Sequence, residues 1–395
     1  MHIRNVVHPT LGPTDVHIEA GRIARYTQSS DGPAQGLTLD GDGMLLLPGF
    51  VDAHTHLDKT LLGLPWQPHA AGPTVPDRIA YERETLRTLK VDPRTQSERL
   101  MRHMLARGTT SIRTHVDIVP EIGLQHFAGV MDTRAQYRDV MDIQVVAFPQ
   151  LGLTQAPGTL PLLRQALKDG ASVVGGLDPI SIDRDPKGQL DAVFALAEEF
   201  GAEVDIHLHD RGEVGAITID MVAERTAALG LEGRVTVSHA FCLGDVSPAR
   251  QLELFETLAR LDIAIMTHGP SAGIASPPVR RLHEAGVRVF SGSDGVRDAW
   301  GPLNTGDMLE RAFIVAYLNG FRDDAGLELA LDMASYAGAR VLKLDNYGLE
   351  VGCDADLVLV SAANRAEAVV AHPRREYVLK RGQIVAQAGV CVLPS

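Results

Sequence analysis

Two histidines separated by one residue stand early in the chain, and their spacing could hold a metal ion. An apolar run, Met44 to Leu47, leads into the stretch 48–60, which contains His54 and His56. Alternate side chains of a β-strand share a face, so both imidazoles can point at one ion. Two unrelated histidines at an exposed strand end would look the same, so the rest of the chain must decide.

Further histidines, carboxylates and one amide follow the ends of later apolar stretches. The chain has 15 histidines, and a random scatter would not place so many of them at such ends. Any one of these histidines could be a hydrogen-bonded structural residue, but the set favours a shared site. The strand-end residues are His115, Asp117, Gln150, Asp178, His207, His209, Asp210, His239, His268 and Asp294.

The elements that must position these side chains alternate between strand and helix. After the strand that carries His54, apolar strand candidates occur at residues 111–116, 143–148, 172–175, 203–207, 235–239, 263–267 and 287–292. Helix-like segments separate them at 95–106, 160–168, 190–200, 216–228, 249–260 and 278–285. Eight such units predict an α/β protein with a (β/α)8 TIM-like barrel, whose active site lies at the carboxyl ends of the strands.

The two ends of the chain share a β-rich texture that differs from the middle. Ala20 and Gly21 separate two strand-like runs and signal a hairpin, and strand-like runs recur at 356–360 and 376–386. We therefore predict a small composite β domain, a β-sandwich, from residues 1–47 plus 346–395. The barrel would span residues 48–345, and two predicted helices at 307–317 and 327–342 would lead back to the β domain.

The strand-end residues include a ligand set for one divalent metal ion, Zn²⁺ or Fe²⁺. His54, His56, His207 and Asp294 supply three imidazoles and a carboxylate, which leaves a position for water, as catalytic sites require. The ion would lower the pKa of that water, and Asp294 would accept its proton. His239 would hydrogen-bond the attacking hydroxide or the oxyanion that develops during attack. His115 is expected to pack beneath the metal site and to donate a hydrogen bond there, without binding the ion itself.

The segment Gly49–His56, followed by His207, His239 and Ser293–Asp294, resembles the amidohydrolase superfamily. Within that superfamily, Arg113–Asp117 and the segment Ile143–Gln150 are similar to the cytosine deaminase branch. Four further segments look closer still to triazine-degrading members: His54–Lys59, Val174–Pro179, His207–Asp210 and Asp294–Trp300.

The resemblance implies a hydrolase that removes ammonia or an alkylamine from a small nitrogen heterocycle, of pyrimidine or triazine type, by attack of metal-activated hydroxide on a ring carbon. Two positions depart from cytosine deaminases. Asp210 stands where that branch has a glutamate, and Gly295 stands where it has an acidic residue. These departures argue against cytosine itself as the substrate.

Several residues near the strand ends are candidates for proton transfer or substrate contact. His209 alternates in phase with His207, and either His209 or Asp294 would pass a proton to the leaving nitrogen. Asp210 would orient His209 or cap the next helix, and Asp178 would contact substrate or end strand four. The predicted substrate-binding residues are Gln150, Lys59, Asp178, Asp210 and Trp300.

Composition narrows the class of protein. The net charge of −13, which no run of Lys and Arg offsets, argues against a nucleic-acid-binding protein, and no apolar run is long enough to cross a membrane. Three scattered cysteines indicate reduced thiols in a cytoplasmic protein. The expected partner is the small heterocyclic substrate, and a homo-oligomer is possible.

Two alternatives to the predicted deaminase remain. One is an enzyme that opens the ring of a cyclic amide by hydrolysis, and the other is an inactive barrel that only binds a ligand.

Overall fold

The strands of this chain form two sheets. The computed structural model describes residues 1–29, 37–269 and 273–394, and within them each sheet has eight strands. Four strands open the chain: β1 (His2–His8), β2 (Gly12–Glu19), β3 (Arg22–Gln28) and β4 (Thr38–Pro48). Ala20 and Gly21, which connect β2 to β3, both have positive φ, and this confirms the predicted hairpin turn.

The next eight strands pair in parallel, each with its neighbour in sequence. They are β5 (Phe50–Thr55), β6 (Thr109–Asp117), β7 (Asp142–Phe148), β8 (Val173–Leu177), β9 (Glu203–Leu208), β10 (Val235–His239), β11 (Ala264–Thr267) and β12 (Val289–Ser291). Beyond β12, an isolated parallel bridge joins Thr55 to Asp294 and brings the last strand beside the first. The predicted barrel is confirmed.

Closure of the barrel depends on residues that join β5 to the segment after β12. The Asp294 backbone N–H donates to the His54 carbonyl at 2.8 Å. Asp52 lies inside β5, and its carboxylate accepts from the Ser293 backbone N–H at 2.9 Å and from the Ser293 hydroxyl. A Cβ at Gly292 would lie 2.5 Å from the His54 carbonyl oxygen, so a side chain there would push β12 away from β5.

Both ends of the chain build the second sheet. Its last strands are β13 (Leu357–Val360), β14 (Arg375–Lys380), β15 (Gln383–Gln387) and β16 (Val390–Cys391), and the strand order is β16-β15-β14-β13-β4-β1-β2-β3. Antiparallel pairing of β4 with β13 connects the amino-terminal strands to the carboxyl-terminal ones. A β domain built from both termini is therefore confirmed, while its boundaries at 47/48 and 345/346 stay a prediction.

Helices connect the strands in the described part of the chain, and most of those between barrel strands pack apolar faces onto the outside of the barrel. They are α1 (Val75–Leu89), α2 (Pro93–Leu105), α3 (Gln125–Gln136), α4 (Thr159–Lys168), α5 (Pro186–Phe200), α6 (Gly212–Leu229), α7 (Pro248–Arg260), α8 (Val279–Glu284), α9 (Met308–Leu318), α10 (Asp324–Met333), α11 (Tyr336–Val341) and α12 (Arg365–Ala371), with a 3₁₀ turn at Phe241–Gly244. In the described part of the chain, none of these helices combines the length and apolar character needed to cross a bilayer.

Two features of the helices differ from the sequence prediction. The single helix predicted at 327–342 is wrong, because the non-helical backbone of Ser335 separates α10 from α11. The helices α1, α3 and α12 were not predicted. Among them α1 buries only Ile79 and Glu82, so its sequence carries no apolar stripe. Its start does carry a signal, a capping box between Thr74 and Asp77.

Candidate metal centre and active site

Five histidines gather at the carboxyl ends of the barrel strands. His54 belongs to β5, His56 follows it, and His115, His207 and His239 come from β6, β9 and β10. The His54 ring centroid lies 4.1 Å from that of His115, 4.6 Å from that of His207 and 5.2 Å from that of His239. The sequence thus placed residues from four strands correctly at one spot.

Asp294 completes this group, which we call the histidine cluster: His54, His56, His115, His207, His239 and Asp294. Its Oδ1 atom lies 3.5 Å from His54 Nε2 and 3.3 Å from His56 Nε2. Two overlapping quartets have all their donor atoms within 4.8 Å of one another: His54, His56, His115 and His207, and His54, His207, His239 and Asp294. Asp294 has a φ of 60°, a left-handed conformation that aims its carboxylate inward.

The donor atoms of the cluster fit a divalent ion. Among the described residues, His54 Nε2, His239 Nε2 and both ring nitrogens of His207 are buried without a hydrogen-bond partner. Burial lowers the pKa of all three imidazoles, so they are neutral near pH 7 and keep a lone pair for a metal. Buried nitrogens without partners are costly, and coordination of an ion would satisfy one nitrogen of each ring.

His115 belongs to the cluster more closely than the sequence indicated. Both of its ring nitrogens are buried without a hydrogen-bond partner in the described part of the chain, and Nε2 lies 3.5 Å from Asp205 Oδ2. Burial lowers the pKa of His115 to about 3. Its place in one of the two quartets makes His115 a candidate ligand in addition to the four predicted ones.

A serine and an aspartate hold His54 in place from behind. The Ser238 hydroxyl lies 3.0 Å from His54 Nδ1 and donates to Asp205 Oδ1 at 2.7 Å. Because the hydroxyl proton is used toward the carboxylate, the serine oxygen accepts the His54 Nδ1–H. This pattern fixes the tautomer whose Nε2 lone pair faces Asp294. Neither Ser238 nor Asp205 was among the predicted site residues.

His209 lies beside the cluster and is held by Asp178. The His209 ring stacks on His239 at 4.4 Å, and its Nδ1 lies 2.7 Å from Asp178 Oδ2. Asp178 Oδ1 also accepts from the backbone N–H of His209 at 2.6 Å. Burial by itself would lower the pKa of His209, but the Asp178 carboxylate raises it above its ordinary value. The partner of His209 is therefore Asp178.

Asp210 does not do what the sequence suggested. Its backbone N–H donates to Asp178 Oδ1 at 3.2 Å, and the cap residue of α6 is Arg211, which makes no side-chain cap. Both expectations for Asp210, orientation of His209 and capping of α6, are wrong, because Asp178 reaches across from the end of β8. Asp210 is half-buried next to the site, and its contact with substrate stays a prediction.

Lys59 and Gln150, two predicted substrate contacts, meet at a buried carboxylate on α1. Lys59 is 2% exposed, and its ammonium lies 3.1 Å from Asp117 Oδ1 and 3.3 Å from Glu82 Oε1. The Gln150 side-chain amide donates to the same Glu82 oxygen at 3.2 Å. Lys59 is thus an ion-paired residue inside the mouth of the barrel. Glu82 was not among the residues predicted from the sequence.

An apolar wall connects α1 to the histidine cluster. Ile79 packs with Phe148 and Leu177, and Trp300 packs against the same group. The Phe148 ring lies 4.3 Å from His207, and the Trp300 ring lies 6.3 Å from His209. Trp300 is therefore placed at the site as predicted, although its contact with a substrate is untested.

The structure explains why position 295 is a glycine. A Cβ at this position would lie 1.8 Å from Asp298 Oδ2, so the Asp298 carboxylate fills the space that a side chain at 295 would need. Asp298 in turn accepts from the backbone N–H groups of Trp300 and Gly301. The acidic residue that cytosine deaminases have at this position is absent here, but the carboxylate of Asp298 occupies the space that its side chain would take.

Comparisons with known proteins agree with this geometry. A family model described as the amidohydrolase family matches residues 37–386. The chain belongs to the amidohydrolase family. The N-isopropylammelide isopropyl amidohydrolase of Pseudomonas sp. strain ADP is 32% identical over 397 residues, covering 96% of this chain and 94% of that protein. This confirms the predicted resemblance and the enzyme class.

Solved structures of similar proteins give the same result. The crystal structure of N-isopropylammelide isopropylaminohydrolase from Burkholderia multivorans shares 46% identity, covers 99% of each chain and has a TM-score of 0.94. That of 5-methylcytosine deaminase from Klebsiella pneumoniae liganded with 5-fluorocytosine shares 26% identity, covers 100% of this chain and 99% of the other, and has a TM-score of 0.89. The amidohydrolase described here thus resembles both the triazine and the pyrimidine types named from its sequence.

Proposed function

We propose that this amidohydrolase is a hydrolytic deaminase that removes ammonia or an alkylamine from a triazine or pyrimidine ring. The observation that carries the proposal is the convergence of His54, His56, His207, His239 and Asp294 on one buried point at the barrel mouth. The similar proteins described above are named for N-isopropylammelide, which is a triazine, and for 5-methylcytosine, which is a pyrimidine. Identity is higher for the two N-isopropylammelide enzymes, which favours a triazine with an alkylamino group.

The residues divide into groups that hold a metal ion and groups that move protons. His54, His56, His207 and Asp294 are the proposed ligands of one divalent ion, Zn²⁺ or Fe²⁺, with His115 and His239 beside them. Such an ion, when bound, lowers the pKa of a water ligand and polarises it for attack. Asp294 has a second carboxylate oxygen that can accept the proton of that water. His239 Nε2 is free to hydrogen-bond the oxygen that becomes negatively charged.

His209 is the proposed acid for the leaving amine. Asp178 fixes its Nδ1, so its other ring nitrogen is left to face the site beside His239. A proton delivered from this nitrogen to the exocyclic amine would allow ammonia or an alkylamine to depart. Trp300 and Phe148 form an apolar wall against which a planar ring can lie. Gln150, Lys59 and Asp210 are proposed to contact polar groups of the ring.

The test is a product analysis with matched variants. Purified, metal-loaded protein is incubated with alkylamino-triazines and aminopyrimidines, and amine, ammonia and ring products are measured by mass spectrometry. We expect amine release with the ring intact. His207→Ala and Asp294→Ala should lose at least about 1,000-fold in kcat/KM together with bound metal, while the exposed His283→Asn should behave as wild type.

Two results would contradict the proposal. A ring-opened acid as the product would instead support hydrolysis of a cyclic amide. Full activity of a metal-free Asp294→Ala protein would show that the histidine cluster is not the reaction centre.

A further inference from the structure

Glu82 is a buried carboxylate whose role neither the metal site nor the helix explains. It lies on α1 one turn after Ile79, and these two are the buried residues of that helix. Val75 packs, partly buried, against the apolar group that contains Ile79, and the other side chains of α1 are partly or fully exposed. A carboxylate that is 1% exposed needs a reason, because desolvation of a charged group is expensive.

The two oxygens of Glu82 have different surroundings. Oε1 accepts from the Lys59 ammonium at 3.3 Å and from the Gln150 side-chain amide at 3.2 Å. Oε2 is buried and, among the described residues, has no hydrogen-bond partner. Charge balance for Lys59 does not require Glu82, since Asp117 already lies 3.1 Å from the same ammonium. One acceptor of Glu82 is therefore available to a ligand.

The surroundings of Glu82 join it to the active site. Ile79, one turn earlier, packs on Phe148, whose ring lies 4.3 Å from the His207 ring. Gln150 follows β7 two residues after Phe148, and Lys59 follows His56 by three residues. Burial raises the pKa of Glu82 well above its ordinary value, whereas the Lys59 ammonium at 3.3 Å lowers it, and an N–H donor from a ligand would likewise favour the charged, accepting form.

We infer that Glu82 is a specificity-determining residue that accepts a hydrogen bond from a ring N–H of the substrate, while Lys59 and Gln150 donate to the carbonyl oxygens on either side. Two donors next to one acceptor are complementary to an edge of the form C=O, N–H, C=O. The substrate class is therefore a cyclic imide, such as an alkylamino-triazine with two ring carbonyls. This inference rests on the proposed deaminase function and deepens it.

The experiment compares two substrates and two variants. The substrates are an alkylamino-triazine with two ring carbonyls and the same compound methylated on the ring nitrogen between them. The variants are Glu82→Gln, which has the same size but turns an N–H toward the ring, and Glu84→Gln, the same change at an exposed position of α1. We expect Glu82→Gln to lower kcat/KM for the N–H substrate about 100-fold and for the methylated one only a few-fold.

Glu84→Gln should leave both substrates and the metal content unchanged. An equal loss for both substrates with Glu82→Gln would show a merely structural role and overturn the inference, as would no loss at all. If the wild-type protein releases amine from neither substrate, the proposed deaminase function is contradicted. That result differs from the results that would overturn only the role of Glu82, because those require an active wild-type protein.

A second measurement needs no variant. The triazine that has only carbonyl oxygens at its three ring carbons and the form of it that is methylated on all three ring nitrogens are titrated into the metal-loaded wild-type protein by calorimetry. We expect the methylated ring to bind at least about 10-fold more weakly, because it leaves the Glu82 oxygen unpaired. Equal affinities would overturn the inference even if Glu82→Gln does not fold.

Discussion

At the scale of single residues, the site depends on side chains that contact a proposed metal ligand rather than the proposed metal ion itself. His54 is an example, because its ring orientation is set by Ser238 and, through the serine hydroxyl, by Asp205. A metal ligand held by such a partner loses affinity when the partner is removed, although the ligand itself is intact.

Ser238→Ala tests this arrangement. We expect the metal affinity, measured by competition with a chelator, to fall about 10- to 100-fold, because His54 loses the acceptor that fixes its tautomer. Ser291→Ala is the matched control, since Ser291 is also buried on a barrel strand but its hydroxyl has no partner in the described part of the chain. Equal affinities for Ser238→Ala and wild type would show that the hydroxyl does not orient His54.

At the scale of elements, contacts between loops and helices shape the mouth of the barrel. The segment after β12 carries Asp294, Asp298 and Trp300, and α2 holds its far end. His103 on α2 donates from Nε2 to the Thr305 carbonyl at 2.8 Å, and its Nδ1 lies 3.1 Å from Arg107 Nη1. An imidazole that accepts from a guanidinium must be neutral.

Burial and then Arg107 lower the pKa of His103 to about 4. The unfolded chain binds this proton near pH 6.5 and the folded chain does not, so the contribution to stability is present above that pH and is lost as the pH falls toward 4. We expect wild type to lose about 2 kcal/mol more than His103→Gln between pH 7.5 and pH 4.5, since the ring is partly exposed. Urea unfolding at the two pH values measures the difference, and His283→Asn serves as the exposed control. Parallel pH profiles of wild type and His103→Gln would contradict the prediction.

At the scale of the whole molecule, buried ion pairs connect the terminal sheet to the barrel. Lys380 on β14 is fully buried, and its ammonium donates to Asp142 at 2.5 Å, to Asp356 at 2.6 Å and to the Thr110 carbonyl at 3.2 Å. Asp142 and Thr110 belong to barrel strands, so the Lys380 side chain connects the terminal sheet directly to two strands of the barrel.

Lys380→Met would leave the buried Asp356 without its cation and would leave Asp142 with Arg381 as its remaining ion-pair partner. We expect the free energy of unfolding to fall by about 3 kcal/mol, because a buried charge without its partner is costly. Lys187→Met removes an exposed ion pair with Asp191 and should change stability by less than about 1 kcal/mol. Chemical unfolding of both variants gives the comparison. A loss for Lys380→Met as small as that for Lys187→Met would show that this connection contributes little.

The sequence by itself determined the barrel and the centre of the site. Alternation of strands and helices predicts a parallel barrel, and in a barrel the residues that end the strands must meet. His54, His56, His207, His239 and Asp294 could therefore be placed together without coordinates, since each follows an apolar stretch. The period of two along β5 was enough to put His54 and His56 side by side.

Only the tertiary structure decided which residues support that centre. Asp178 and His209, Ser238 and His54, and Glu82 and Lys59 are pairs from different elements, and their distances depend on how neighbouring strands and loops approach one another. The helix α1 shows this most clearly. Its buried residues are one isoleucine and one glutamate, so no apolar periodicity in the sequence predicts the helix. A buried carboxylate is recognisable only when its surroundings are known, since in the sequence Glu82 and the exposed Glu84 are the same residue type two positions apart.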